Sequence, residues 1–199
     1  MKNALIIFVR NPVLGKVKTR LAGTIGNDKA LKVYNHLLQH TQSITANLPA
    51  SVFVYYADFI NDNDLWNGYE KKLQTGNDLG ERMLNAFEKL FNNSFTNICI
   101  IGSDCCELTS EIIAAAFIKL QTTNVVIGPV SDGGYYLLGS NIFIPDFFYS
   151  KLWSTATVFA DTVADAKRLA LSVHQLPLLN DIDEEIDLHN SSIAYLLDK

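Results

Sequence analysis

The sequence predicts an α/β fold: a three-layer α/β/α sandwich on a Rossmann-like, mixed, mostly parallel sheet. Three observations predict it. Short apolar runs read as strands buried on both faces, segments of helical period alternate with them, and polar clusters follow several of the runs. Ala4–Val9 is continuously apolar, runs into Arg10 and is the first strand. A loop carrying Pro12, Gly15 and the cations Arg10, Lys16, Lys18 and Arg20 follows. Asn27 is expected to cap a helix from Asp28 to Thr45, where Ala30, Leu31, Tyr34, Leu37, Leu38, Thr41 and Ile44 recur at helical spacing. Pro49 ends it, and Ser51–Ala57, β-branched and aromatic, is the second strand. Residues 58–77 are polar and turn-rich, anchored by Trp66. Asp78 and Glu81 form a reciprocal capping pattern before a helix striped by Leu79, Met83, Ala86, Phe87 and Leu90.

Asn97–Ile101 is a third buried strand, ending at Gly102-Ser103-Asp104. Thr109 caps the next helix, with Ile112, Ile113, Ala116, Phe117 and Leu120 inward. Val125–Ile127 and Tyr135–Leu138 are the fourth and fifth strands. Only Pro129–Gly134 separates them, too little for a helical crossover, so they are expected to pair antiparallel. A helix from Val158 to Ser172, a strand His174–Leu178 and a helix from Glu184 to Leu197 complete the order. No repeat or linker interrupts residues 1–199, which are read as one domain.

Composition bounds the function. The 199 residues are 48% hydrophobic, enough for a core without disulfide or metal staples. A net charge of −5 gives no long-range attraction for nucleic acid or an anionic membrane. The Ala4–Val9 run is far short of the ~20 residues that span a bilayer. Cys99, Cys105 and Cys106 are odd in number and partly adjacent, a pattern of reduced thiols, so the expected compartment is the cytoplasm. Charge is uneven: residues 1–27 hold Lys2, Arg10, Lys16, Lys18 and Arg20 and no acid, which points to a local anionic ligand.

Ligands of open α/β sheets collect outside the carboxyl ends of the strands, where three clusters fall. In Arg10 to Arg20, Gly15 permits a tight turn, and the cations and exposed amides suit a diphosphate; a merely solvated basic loop is the alternative. The loop matches neither the Walker nor the dinucleotide pattern. Asp104, delivered to the sheet edge, suits Mg²⁺ or Mn²⁺; capping a turn is the alternative. In Ser131 to Tyr136, Gly133 and Gly134 allow close backbone approach and Asp132 can orient or deprotonate a hydroxyl, although the same residues also make a plain turn. Asp181 and Asp183 offer a further carboxylate to a metal, with Asp183 equally suited to capping the last helix. Trp153 can line a pocket or belong to the core, and Cys105 and Cys106 read as buried fillers.

Taken together, Phe8-Val9-Arg10-Asn11-Pro12 through Gly15-Lys16-Val17-Lys18-Thr19-Arg20-Leu21, Asp78 to Met83, Gly102 to Cys105, Asp132 to Gly139, Trp153-Ser154-Thr155 and Leu179 to Asp183 resemble the bacterial family DUF2064. Its members are described as glycosyltransferase-A-like, some as glycosyltransferases of arsenosugar biosynthesis. The resemblance implies a nucleotide-diphospho-sugar transferase fold, a superfamily of glycosyltransferases and nucleotidylyltransferases. It implies that Arg10, Gly15, Lys16, Lys18, Arg20 and Asp78 surround nucleotide phosphates, with Lys18 and Arg20 foremost and active in catalysis. By the same resemblance, Asp104 binds Mg²⁺ or Mn²⁺ with Asp183 as a weaker ligand, Asp132 is catalytic, and Gly133, Gly134, Tyr135 and Trp153 line the acceptor pocket. The chain departs from the family at Cys106-Glu107, where proline and a variable residue usually follow Asp-Cys.

The expected function is a metal-dependent glycosyl transfer from a nucleotide-sugar to a small-molecule acceptor. The first alternative is nucleotidyl transfer from a nucleoside triphosphate to a phosphorylated small molecule, releasing pyrophosphate. The second is a non-catalytic nucleotide-binding module.

Overall fold

The computed structural model describes residues 2–198. Seven strands form one sheet: β1 (Asn3–Val9), β2 (Ser51–Tyr56), β3 (Glu70–Leu73), β4 (Asn97–Ile101), β5 (Val125–Pro129), β6 (Tyr135–Ser140) and β7 (Val173–Gln175). Their order is β3-β2-β1-β4-β6-β5-β7. β6 runs antiparallel to β4 and β5, and every other pairing is parallel. The sheet is mixed for the reason foreseen: the chain between β5 and β6 is too short to cross over.

Among the described residues six α-helices flank it: α1 (Thr19–Ile25), α2 (Asn27–Thr45), α3 (Leu79–Asn92), α4 (Ser110–Lys119), α5 (Val158–Arg168) and α6 (Glu185–His189). The alternation of β1 sorts its side chains between the layers. Leu5, Ile7 and Val9 pack with Tyr34 and Leu38 of α2 and Ile113, Ala116 and Phe117 of α4. Ala4 and Ile6 pack with Met83, Phe87 and Leu90 of α3 and Ala166 of α5. A smaller cluster joins Leu21 of α1, Ala30, Val33 and Leu37 of α2, and Ile182 and Leu188 at α6. That cluster fixes Arg20 and Asp183 as neighbours.

Several boundaries differ from expectation. The basic loop ends sooner, at α1. Gly26, at φ 85°, separates α1 from α2 and stands at the N-cap, so Asn27 is a helical residue and not the cap. β3 lies inside the segment read as loop; it is an edge strand of charged and partly exposed residues, with no apolar alternation to announce it. Trp66 is buried and meets Tyr69 edge to face. α5 stops at Arg168, β7 is short and placed earlier, and the last helix breaks after His189, resuming as a 3₁₀ segment at Ala194–Asp198. Glu184, not Asp183, caps α6: the Asp187 carboxylate accepts the backbone N–H groups of both Asp183 (3.0 Å) and Glu184 (2.7 Å).

Candidate active site

β1, β4, β5 and β7 point the same way, so their carboxyl ends share one edge of the sheet, and antiparallel β6 begins at that edge. From β1 the chain moves outward to β2 and β3, then returns to place β4 on the other side of β1. The crevice between the ends of β1 and β4 is therefore a topological switch point. The loop 10–18 and Asp104 open onto it.

The loop is braced from below. The Tyr34 hydroxyl donates to the Arg10 carbonyl (3.1 Å), accepts the Arg10 N–H (2.8 Å) and lies 3.4 Å from the Ser103 hydroxyl, linking the two strand ends. Burial, then the Asp104 charge, push its phenol up to about 12, so it stays neutral. Buried Asn11 donates to the Phe59 carbonyl (2.8 Å) and accepts the Asp58 and Phe59 N–H groups. Gly15 turns the loop at φ 74°. Lys18, immediately before α1, takes a left-handed backbone (φ 47°, ψ 46°).

The Lys18 side chain is only 5% exposed, and its ammonium lies 2.9 Å from Asp104 Oδ1 and 3.2 Å from Asp183 Oδ1. Burial works against its charge, but Asp104 and Asp183 outweigh it and hold the ammonium above its ordinary pKa. Arg20, exposed at the start of α1, donates to the other Asp183 oxygen at 3.2 Å. Arg10 and Lys16 extend from the loop as exposed residues without an ion pair among the described residues.

Asp183 reaches this point because residues 179–183 form a strap across two strand ends. Ile182 N–H donates to the Asp104 carbonyl (2.9 Å), and Asn180 N–H donates to the Glu107 carboxylate (2.7 Å). The Ser131 hydroxyl donates to Asn180 Oδ1 (2.7 Å), and Leu179 bridges Val130 in parallel. Glu107, next to the Cys106 that replaces the family's proline, thus anchors the strap, while Lys18 and Ile182 fix Asp104. The strap also carries Asp181 into a field of carboxylates. Burial, then the charges of Asp132 and Asp183, raise it to about 6 despite Lys18.

Asp132 is exposed and accepts the Gly134 N–H (2.8 Å), shaping the turn. Gly133, at φ 91°, lies so close to Ala156 that a Cβ would collide with its carbonyl oxygen. Tyr135 and Trp153, expected in an acceptor pocket, pack against the α3–α5 layer: the Tyr135 hydroxyl points to the Met83 sulfur (3.8 Å), and the Trp153 indole covers Gly80. Asp78 is the N-cap of α3, accepting the Glu81 N–H at 2.8 Å. The structure therefore brings Lys18, Arg20, Asp104 and Asp183 together, with Asp132 and Asp181 close enough to sense each other, and leaves Asp78, Tyr135 and Trp153 in packing and capping roles. Tyr34 and Glu107 were missed. Tyr34 counted only as part of an apolar stripe, and nothing in the sequence paired Glu107 with Asn180.

A cleft of about 510 Å³ lies beside this ion group and not within it, lined by Arg20, Thr24, Glu184, Glu185, Ile186 and His189. Cys105 and Cys106 are buried, and burial lifts the Cys105 thiol to about 12, as expected of fillers. No group of three or more His, Cys, Asp or Glu among the described residues is arranged around one metal position. The donor set at the switch point is the partly exposed carboxylates of Asp104 and Asp183. It fits Mg²⁺ or Mn²⁺ held by one or two carboxylates and completed by water and phosphate oxygens.

Residues 40–155 match the family model DUF2064, described as an uncharacterized protein conserved in bacteria. A protein of Desulfovibrio desulfuricans, named as a candidate nucleotide-diphospho-sugar transferase, is 35% identical with a TM-score of 0.90, over 100% of this chain and 95% of that one. The 4-diphosphocytidyl-2C-methyl-D-erythritol synthase of Anaerococcus prevotii shares the fold at 11% identity and TM-score 0.61, covering 98% of this chain and 96% of that one. A cytidylyltransferase of Leptospira borgpetersenii does so at 17% and 0.58, covering 93% and 79%. No curated protein matches the chain in sequence. Among the described residues, no helix is long and apolar enough to cross a membrane.

Proposed function

Since the chain belongs to the DUF2064 family, we propose that it is a metal-dependent transferase that takes a nucleotide-sugar donor and moves its glycosyl group to a small-molecule acceptor. The observation that carries this reading is the buried Lys18 ammonium facing Asp104 across the switch point between β1 and β4. That cation is held between the carboxylates of Asp104 and Asp183 at the sheet edge where a ligand would enter. The name of the 35% identical relative supports the same class.

In this reading the loop 10–18 receives the donor diphosphate, with Lys18 and Arg20 against its oxygens and Arg10 and Lys16 adding positive potential at the rim. The bond between the anomeric carbon and the diphosphate oxygen breaks, and its electron pair leaves with the nucleoside diphosphate. Lys18 and Arg20 stabilise that growing charge. The acceptor oxygen bonds to the anomeric carbon and its proton passes to Asp132, whose Oδ1 is oriented by the Gly134 N–H. Mg²⁺ or Mn²⁺ on Asp104, with Asp183 beside it, would supply Lewis-acid stabilisation of the diphosphate.

The test incubates the protein with nucleotide-sugars and, separately, nucleoside triphosphates, each with Mg²⁺ or Mn²⁺, and resolves the products. Nucleoside diphosphate from a nucleotide-sugar, abolished by Asp104→Asn in a folded protein, is the expected result. Pyrophosphate from a nucleoside triphosphate would replace glycosyl with nucleotidyl transfer, and no product from either set would leave a binding module.

A further inference from the structure

Lys18 cannot stay closed on both carboxylates and also leave them to a metal ion. Its ammonium sits 2.9 Å from Asp104 and 3.2 Å from Asp183, the carboxylates assigned above to the metal, and yet it is the cation assigned to the phosphates. A divalent ion arriving alone repels the ammonium and leaves a buried charge with its anions taken. A diphosphate arriving alone draws the ammonium away and leaves Asp104 and Asp183 facing one another. Either half-loaded state breaks the ion group, and only the doubly loaded state restores a counter-charge to every member.

We infer that Lys18 is the residue that couples metal to donor: in the free protein its ammonium occupies the carboxylates that receive the ion, and it passes from them to the phosphate when both ligands are present. The inference rests on the metal-bearing part of the proposed function. The local geometry supports it. Lys18 sits at the junction of loop and helix, in a left-handed conformation unusual for a residue with a side chain. Its flexible four-carbon stem can swing the charge between partners. Arg20, 65% exposed, bonds the second oxygen of Asp183 through Nη1 alone and so keeps further N–H donors for the phosphate while it holds that carboxylate.

Direct Mn²⁺ titration by electron paramagnetic resonance tests this on wild type, Lys18→Met and Lys18→Gln, with folding confirmed by circular dichroism. Mn²⁺ alone should bind both variants more tightly than wild type, by a factor in the range of about 5–150. Inorganic pyrophosphate, beyond its own chelation of Mn²⁺, should tighten Mn²⁺ binding to wild type and lose that effect in the variants. Equal Mn²⁺ affinity in all three proteins, or no Mn²⁺ binding in any, overturns the inference. Should the variants not fold, the ¹⁵N signal of the Lys18 ammonium in wild type must move with Mg²⁺ and pyrophosphate together, and an unmoved signal is equally fatal. None of these readouts needs turnover. Cooperative binding without glycosyl transfer would reject the transferase reading alone, and turnover with independent Mn²⁺ binding would reject the coupling alone.

Discussion

Asp104 and Asp181 sit within one group of charges but answer to different neighbours. Asp104 is partly exposed and partnered by Lys18, so Asp104→Asn removes one counter-charge from a buried ammonium while Asp183 remains. The expected stability loss is about 1–2 kcal/mol, softened by exposure of the carboxylates, and chemical denaturation measures it. Turnover, by contrast, should fall at least ~100-fold, as for loss of a group stabilising transition-state charge. Asp181 behaves in the opposite sense. Its folded pKa of about 6 lies above the ordinary value, so between about pH 4 and 6 the folded state binds the proton more tightly than the unfolded chain. Its contribution to stability is present at low pH and is lost as pH rises through 6. Asp181→Asn should therefore stabilise the protein at pH 7, by on the order of 1 kcal/mol, and gain nothing at pH 4. A stability difference independent of pH would contradict the crowding of carboxylates around Asp181.

The elements that carry these residues were legible where a single periodicity governed them. β1, β4 and the first half of β5 are apolar on both faces because helices cover both, and such runs are visible without a partner. α3 and α4 announced themselves through Asp78 and Thr109, whose side chains accept the N–H three residues on. β3 and α1 did not. β3 is a charged edge strand held by main-chain pairing to β2, and α1 is seven residues whose burial rests on Leu21 against partners far along the chain. Asp78 separates capping from ligand binding: Asp78→Ala should cost about 1 kcal/mol of stability through the lost cap, with nucleotide affinity unchanged in a calorimetric titration. A parallel loss of affinity would give it the phosphate role its place in the sequence motif implied. Gly133→Ala should be more damaging, by about 1–3 kcal/mol, because the side chain meets the Ala156 carbonyl from a left-handed backbone.

Across the whole molecule, the parallel strands collect their carboxyl ends on one edge, and the strap 179–183 closes that edge by bonding to Asp104, Glu107 and Ser131. The three clusters were readable because each directly follows an apolar run. Their convergence was not, since it depends on strand order and on a strap whose role is set by contacts about 75 residues away in sequence. A site assembled from four separate segments should stabilise the fold when filled. Donor at about 100 times its dissociation constant in saturating Mn²⁺ should add about 2.7 kcal/mol beyond Mn²⁺ alone, raising the melting temperature by roughly 5–10 °C, whereas the same donor concentration without Mn²⁺ should give less than half that shift.

The central claim is that the crevice between β1 and β4 is a diphosphate site. A crystal structure with Mn²⁺ and a nucleoside diphosphate tests it most directly. The account predicts the β-phosphate within hydrogen-bond distance of Lys18 and Arg20, with Lys18 lifted from Asp104. A nucleotide lodged instead in the 510 Å³ cleft lined by Thr24, Ile186 and His189, with Lys18 still closed on Asp104 and Asp183, would contradict it.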